Sequence, residues 1–155
     1  GSVAVGQKVA ASASGRGARV QCEMGGQNPS IVLADADLEA AAATVSFATM
    51  GYAGQKCTAT SRVIVESSVY DDFRGRLVSA VEAMHVTDPT REDCKVGPLI
   101  EEESLSGALD AIGASSGAVI TGGKALDAEG WDTVIGIDLD GGAFGIVHLL
   151  GKISP

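Results

Sequence analysis

The chain has 155 residues, enough for one ordinary domain and little more. Hydrophobic residues make up 45%, and 20 acidic against 11 basic side chains leave a formal net charge of −9. That balance excludes a nucleic-acid binder of the usual basic kind, because neutralising phosphates needs lysine and arginine. No apolar run approaches the roughly 18 residues of a membrane span, so no membrane partner is expected. The start, Gly1-Ser2-Val3, has no basic region followed by an apolar stretch, so no secretory signal is read. Cys22, Cys57 and Cys94 are odd in number and form no CxxC pair, which points to a reducing, cytoplasmic setting without zinc or a disulfide framework.

The elements follow in chain order. Residues 5–15 read as a short helix of small residues, ended by Gly15 or Gly17. Residues 18–24 (ARVQCEM) alternate like a strand and stop at Gly25-Gly26. Ser30 to Leu33 predicts a buried strand, and Asp35 or Asp37 caps a helix over about 37–50. A glycine-marked loop, GYAGQKCTATS, carries Cys57. Arg62 to Glu66 predicts a strand. Ser67 or Ser68 is expected to cap a helix from Tyr70 to about Met84, with Phe73, Leu77, Val81 and Met84 at helical spacing. Glu101 to Ile112 reads as a helix whose acidic start suits its positive end. Ala118 to Thr121 is a short strand before Gly122-Gly123. Val134–Leu139 and Phe144–Leu150 flank Asp140-Gly141-Gly142 and predict a hairpin. Strands alternating with helices give an α/β layer architecture.

Two residues stand out chemically. Cys57 sits in a glycine-marked loop beside Lys56, where a cysteine can be exposed and can have its thiolate favoured by nearby positive charge. The plain alternative is a buried, inert cysteine, and Cys22 and Cys94 keep that reading. Glu23 stands at the end of an apolar run, directly before two glycines, and sheet ends are where α/β proteins place ligands. Its plain alternative is a solvated carboxylate.

Together with their surroundings these residues carry a resemblance. Glu23-Met24-Gly25-Gly26-Gln27-Asn28-Pro29 resembles the glutamate motif of aldehyde dehydrogenases, and Gly54-Gln55-Lys56-Cys57-Thr58 resembles their cysteine motif. The 34-residue separation of Glu23 from Cys57 also matches. Gly1-Ser2-x-x-x-Gly6 is similar to the glycine turn near the nicotinamide. The likeness runs to about Gly130 and includes Asp35-Ala36-Asp37, Arg62-Val63-Ile64-Val65, Val96-Gly97-Pro98-Leu99-Ile100 and Thr121-Gly122-Gly123.

The resemblance implies a partial aldehyde dehydrogenase catalytic domain joined to the end of a Rossmann-type cofactor domain. Residues 1–24 would close the cofactor domain, 25–130 would be part of the catalytic domain, and 131–155 would be a divergent tail. Cys57 would be the nucleophile and Glu23 the base that activates water. NAD or NADP would be the cofactor, with Gly1, Ser2, Gly6 and Gly25 close to it. A small-molecule aldehyde would be the substrate. The stretch from Gly54 to Arg62 is similar to enzymes acting on semialdehydes such as α-ketoglutaric semialdehyde. Full-length members are expected to be homo-oligomers. Asn28 and Pro29 are read as shaping the crossing between domains. Most of the nucleotide-binding domain is expected to precede Gly1, and the family's later Glu-x-Phe-Gly-Pro motif is replaced by Trp131-Asp132-Thr133-Val134-Ile135-Gly136. A remnant without turnover and a thiol esterase using Cys57 and Glu23 without cofactor are the competing readings.

Overall fold

The structure, a computed structural model, describes residues 1–115, 117–128, 131–138 and 146–153. Helix α1 spans Val3–Ser14, with Ser2 as its N-cap, the hydroxyl accepting from the Val5 N–H at 3.3 Å. Strand β1 is Asn28–Val32, and helix α2, Leu38–Met50, carries the chain to strand β2, Thr60–Glu66. Of the two aspartates proposed as the α2 cap, Asp37 fills the role, accepting from the N–H groups of Glu39 and Ala40.

Helix α3 is Tyr70–Glu82. Its N-cap is Val69, with no side-chain bond, rather than Ser67 or Ser68. The Ser68 hydroxyl instead donates to Glu66 at 2.9 Å, and Asp71 and Asp72 complement the helix dipole from the first turn. Helix α4 is Glu102–Ala114, followed by strands β3 (Val119–Ala128), β4 (Trp131–Asp138) and β5 (Ile146–Ile153).

The five strands form one sheet in the order β1-β2-β5-β4-β3. β1, β2, β5 and β4 run parallel, and β3 pairs antiparallel with β4. Parallel neighbours need a crossover, which α2 supplies between β1 and β2.

Three strand expectations are corrected. Val134–Leu139 and Phe144–Leu150 do not form a hairpin, because β4 and β5 pair in parallel and β5 lies in the middle of the sheet. The antiparallel partner of β4 is β3, while the glycine turn 140–142 lies outside the described residues. Residues 18–24 are not a strand either. Their alternation is real, but an extended segment becomes a strand only beside a partner, and the sheet ends at β1. β3 also runs through Gly122-Gly123 instead of stopping there. The register shifts at that point and Gly123 takes a φ of 71°, a bulge that only glycine adopts without strain.

The core lies between sheet and helices. Val63 and Val65 of β2 alternate inward and are fully buried, as are Phe73 and Leu77 of α3. Val32, Ala42, Val45, Met50, Val81, Val96 and Ala108 complete the same cluster. Ser30 and Thr60 hydroxyls meet at 3.0 Å across β1 and β2, and Arg76 joins α3 to Glu39 of α2 at 2.7 Å.

Candidate active site

The route to Cys57 begins at the buried end of α2. Met50 is fully buried, and the next turn, Gly51–Gly54, is left-handed, with φ of 57° at Tyr52, 52° at Ala53 and 72° at Gly54. A non-glycine residue in this region is costly, and two in succession persist only where surrounding structure holds them. Ala53 is fully buried and pins the turn from below. Tyr52 is exposed, and the Lys56 ammonium stands 3.9 Å above its ring centroid. The positive charge beside Cys57 in sequence is thus held over an aromatic face.

Cys57 is the second residue of a β-turn closed by the Ala59 N–H donating to the Lys56 carbonyl at 3.0 Å. The residue is exposed, and its cysteine is free. The Cys57 backbone N–H has no hydrogen-bond partner among the described residues.

Two side chains hold this loop. The Asn28 amide donates to the Cys57 carbonyl at 2.7 Å and to the Ala59 carbonyl at 2.9 Å. Gln55 accepts from the Ile100 N–H at 3.0 Å and donates to the Tyr52 carbonyl at 3.2 Å. Gly26 completes the packing: a Cβ there would stand 3.2 Å from Asn28 Oδ1 and 3.7 Å from the Cys57 carbonyl oxygen. The Glu23 segment therefore passes directly beside the cysteine turn.

Glu23 is exposed, and its carboxylate accepts from Gln21 at 3.2 Å. It lies three residues before Gly26, a span of at most about 11 Å of chain. No hydrogen bond joins Glu23 to Cys57 among the described residues. The fold brings their segments together, with the carboxylate bonded to Gln21.

The residues read as cofactor neighbours gather on the same side. The amino group of Gly1 donates to the Glu23 carbonyl at 2.8 Å. Gly6 faces Met24 and Cys22 so closely that a Cβ would collide with the Met24 sulfur, and the Cys22 thiol donates to the Gly6 carbonyl at 3.5 Å. Ser2 is committed to capping α1. At Gly25, as at Gly1, nothing beyond the chain neighbours lies within 4 Å of the place a Cβ would occupy.

A profile of the aldehyde dehydrogenase family matches residues 1–133. The chain belongs to that family. It is 43% identical over 130 residues to an α-ketoglutaric semialdehyde dehydrogenase of Bacillus subtilis, covering 82% of this chain and 27% of that protein. It is 40% identical over 134 residues to succinate-semialdehyde dehydrogenase [NADP(+)] 1 of Mycobacterium bovis, covering 84% and 29%. Lactaldehyde dehydrogenase from Escherichia coli superposes with a TM-score of 0.90 at 28% identity, over 99% of this chain and 35% of that one. The chain thus spans about a third or less of these aldehyde dehydrogenases, and its α/β architecture is a partial aldehyde dehydrogenase domain.

Within this family fragment, sequence reasoning overlooked Gln55 and assigned Asn28 only to the domain crossing. Both lie inside the quoted motifs, so their position was visible. Their partners were not, because each binds backbone at least 29 residues away. Cys22 and Cys94, read as buried, are half-buried with their thiols on carbonyl oxygens. His85 faces Asp93 at 3.6 Å, and no group of three or more potential metal ligands occurs among the described residues. No helix there is long and apolar enough to cross a membrane.

Proposed function

We propose that this chain carries the nucleophile and base of an enzyme that oxidises an aldehyde, of the semialdehyde class, to its carboxylate with NAD or NADP. The observation that carries the reading is the exposed Cys57 in a braced β-turn with its own N–H uncommitted, beside the segment that bears Glu23. The semialdehyde class rests on the relatives' substrates, and a cytoplasmic setting rests on three free cysteines.

The Cys57 thiolate attacks the aldehyde carbon, an S–C bond forms, and the carbonyl π pair moves to oxygen. The Cys57 N–H, which has no partner among the described residues, donates to that oxygen as charge develops on it. Gly25, with nothing beyond its chain neighbours within 4 Å of where a Cβ would stand, together with Gly1, Ser2 and Gly6 at the start of α1, would lie beside the nicotinamide end of the cofactor. When bound, the nicotinamide supplies the hydride acceptor that leaves a thioester on Cys57. Glu23 then takes a proton from water as the water oxygen bonds to the thioester carbon. The S–C bond breaks, the carboxylic acid leaves, and the Cys57 thiolate is restored.

Iodoacetamide labelling of the chain, with and without aldehyde and with and without NAD+, tests the reading against Cys57→Ala. Aldehyde should protect Cys57, and an activated ester should acylate it without cofactor. In Glu23→Gln the acyl group should persist, its hydrolysis slowed on the order of 100-fold. Labelling that ignores aldehyde refutes the nucleophile. Hydrolysis unchanged in Glu23→Gln refutes the base. Rapid ester turnover combined with indifference to NAD+ would instead favour a thiol esterase.

A further inference from the structure

We infer that Asn28 is a positioning residue for the nucleophile: its amide NH2 bridges the Cys57 and Ala59 carbonyls and holds the turn with the Cys57 N–H facing outward. This deepens the reading of Cys57 as nucleophile and rests on it. The orientation of the amide follows from chemistry, since a flipped group would press its oxygen against two carbonyl oxygens. The two N–H bonds of a planar amide diverge at a fixed angle. Both carbonyls are satisfied together, at 2.7 and 2.9 Å, only in one placement of the turn.

The Lys56–Ala59 bond holds the two outer peptide planes of the turn, including the one that carries the Cys57 N–H, but it leaves the central plane between Cys57 and Thr58 free to tip. Asn28 takes hold of the carbonyl just after Cys57, so the plane carrying that carbonyl cannot rotate without breaking a bond. The N–H of Cys57 belongs to the neighbouring plane and is left as the uncommitted donor. Gly26 packs against both groups: a Cβ there would crowd the Asn28 oxygen at 3.2 Å and touch the Cys57 carbonyl oxygen at 3.7 Å, an ordinary contact. One amide thereby ties the base-bearing segment to the nucleophile turn.

The reaction step affected is addition alone. The Cys57 sulfur bonds to the aldehyde carbon, the thiol proton passes to solvent, and the carbonyl pair becomes an oxyanion that takes a proton from water or accepts from the Cys57 N–H. Alkylation by iodoacetamide breaks a C–I bond and develops no such oxyanion, so it does not need that donor.

The test compares Asn28→Asp and Asn28→Ala with the unsubstituted full chain. Amide hydrogen exchange at Ala59, whose N–H closes the turn, should quicken about tenfold or more in both, the scale of losing a hydrogen-bonded brace. Addition of a 13C-labelled aldehyde to Cys57, read by NMR without cofactor, should weaken about tenfold while iodoacetamide alkylation changes less than about twofold. The alanine variant, which places no charge beside the carbonyls, carries the test if the aspartate variant loses its fold by circular dichroism. Unchanged Ala59 exchange beside normal aldehyde addition overturns the inference alone, as does a parallel fall in addition and alkylation. No aldehyde addition in the unsubstituted chain sinks the nucleophile reading, and the inference with it.

Discussion

Replacing Gln55 with alanine removes the brace between the cysteine loop and the segment at Ile100. Two bonds are lost, the Ile100 N–H to Gln55 Oε1 at 3.0 Å and Gln55 Nε2 to the Tyr52 carbonyl at 3.2 Å. The contact to the Pro98 carbonyl at 3.5 Å is at the limit of a hydrogen bond and is counted as nothing. Gln55 is exposed, so water replaces part of what is lost, and each bond contributes about 0.5–1 kcal/mol. The variant should lose about 1–2 kcal/mol in all, a fall in Tm of about 3–6 °C for a chain of this size. Gln55→Glu separates the two ends: it keeps the acceptor for Ile100 and loses the donor to Tyr52. Hydrogen exchange at the Ile100 amide should therefore quicken in Gln55→Ala and stay slow in Gln55→Glu. An Ile100 amide that exchanges alike in all three proteins would refute the brace.

Leu77→Ala, at a fully buried position of α3, should cost about 2–5 kcal/mol by chemical denaturation. Ala53 tests the left-handed turn: Ala53→Gly should stay within about 1 kcal/mol of the parent, since relief of the positive φ offsets a lost methyl and added chain entropy. Ala53→Val, branched and overpacked there, should fall by at least about 2 kcal/mol, and equal stabilities would contradict a strained backbone. Paired hydrogen bonds from the Arg91 guanidinium hold the Asp93 carboxyl at about 2, below the usual carboxylate range. A depressed carboxyl stabilises the fold above its unfolded value, and that contribution is lost as pH falls from about 4 toward 2. Melting curves across that window should flatten in Asp93→Asn, and identical pH profiles would show that the pair contributes nothing.

Much of this was legible from residues alone. Asp37 before an alanine-rich run marks the α2 cap, and Phe73, Leu77 and Val81 repeat at the spacing that buries one face of α3. Both signals are local, since a cap and a helical stripe involve residues within a few turns of one another. The motifs around Glu23 and Cys57 announced the family for the same reason: a loop motif is written in consecutive residues.

What the tertiary structure decided concerns partners distant in the chain. Residues 18–24 alternate like a strand yet find no strand neighbour among the described residues, whereas the final apolar run enters the sheet between β2 and β4. Alternation records which face of an extended segment is apolar, but not which segment lies beside it or in which direction. Likewise Asn28 and Gln55 could be counted in the sequence, but the carbonyls and amide they hold could not. A side-chain hydrogen bond to backbone depends on where two distant segments cross, and any residue type supplies the backbone group.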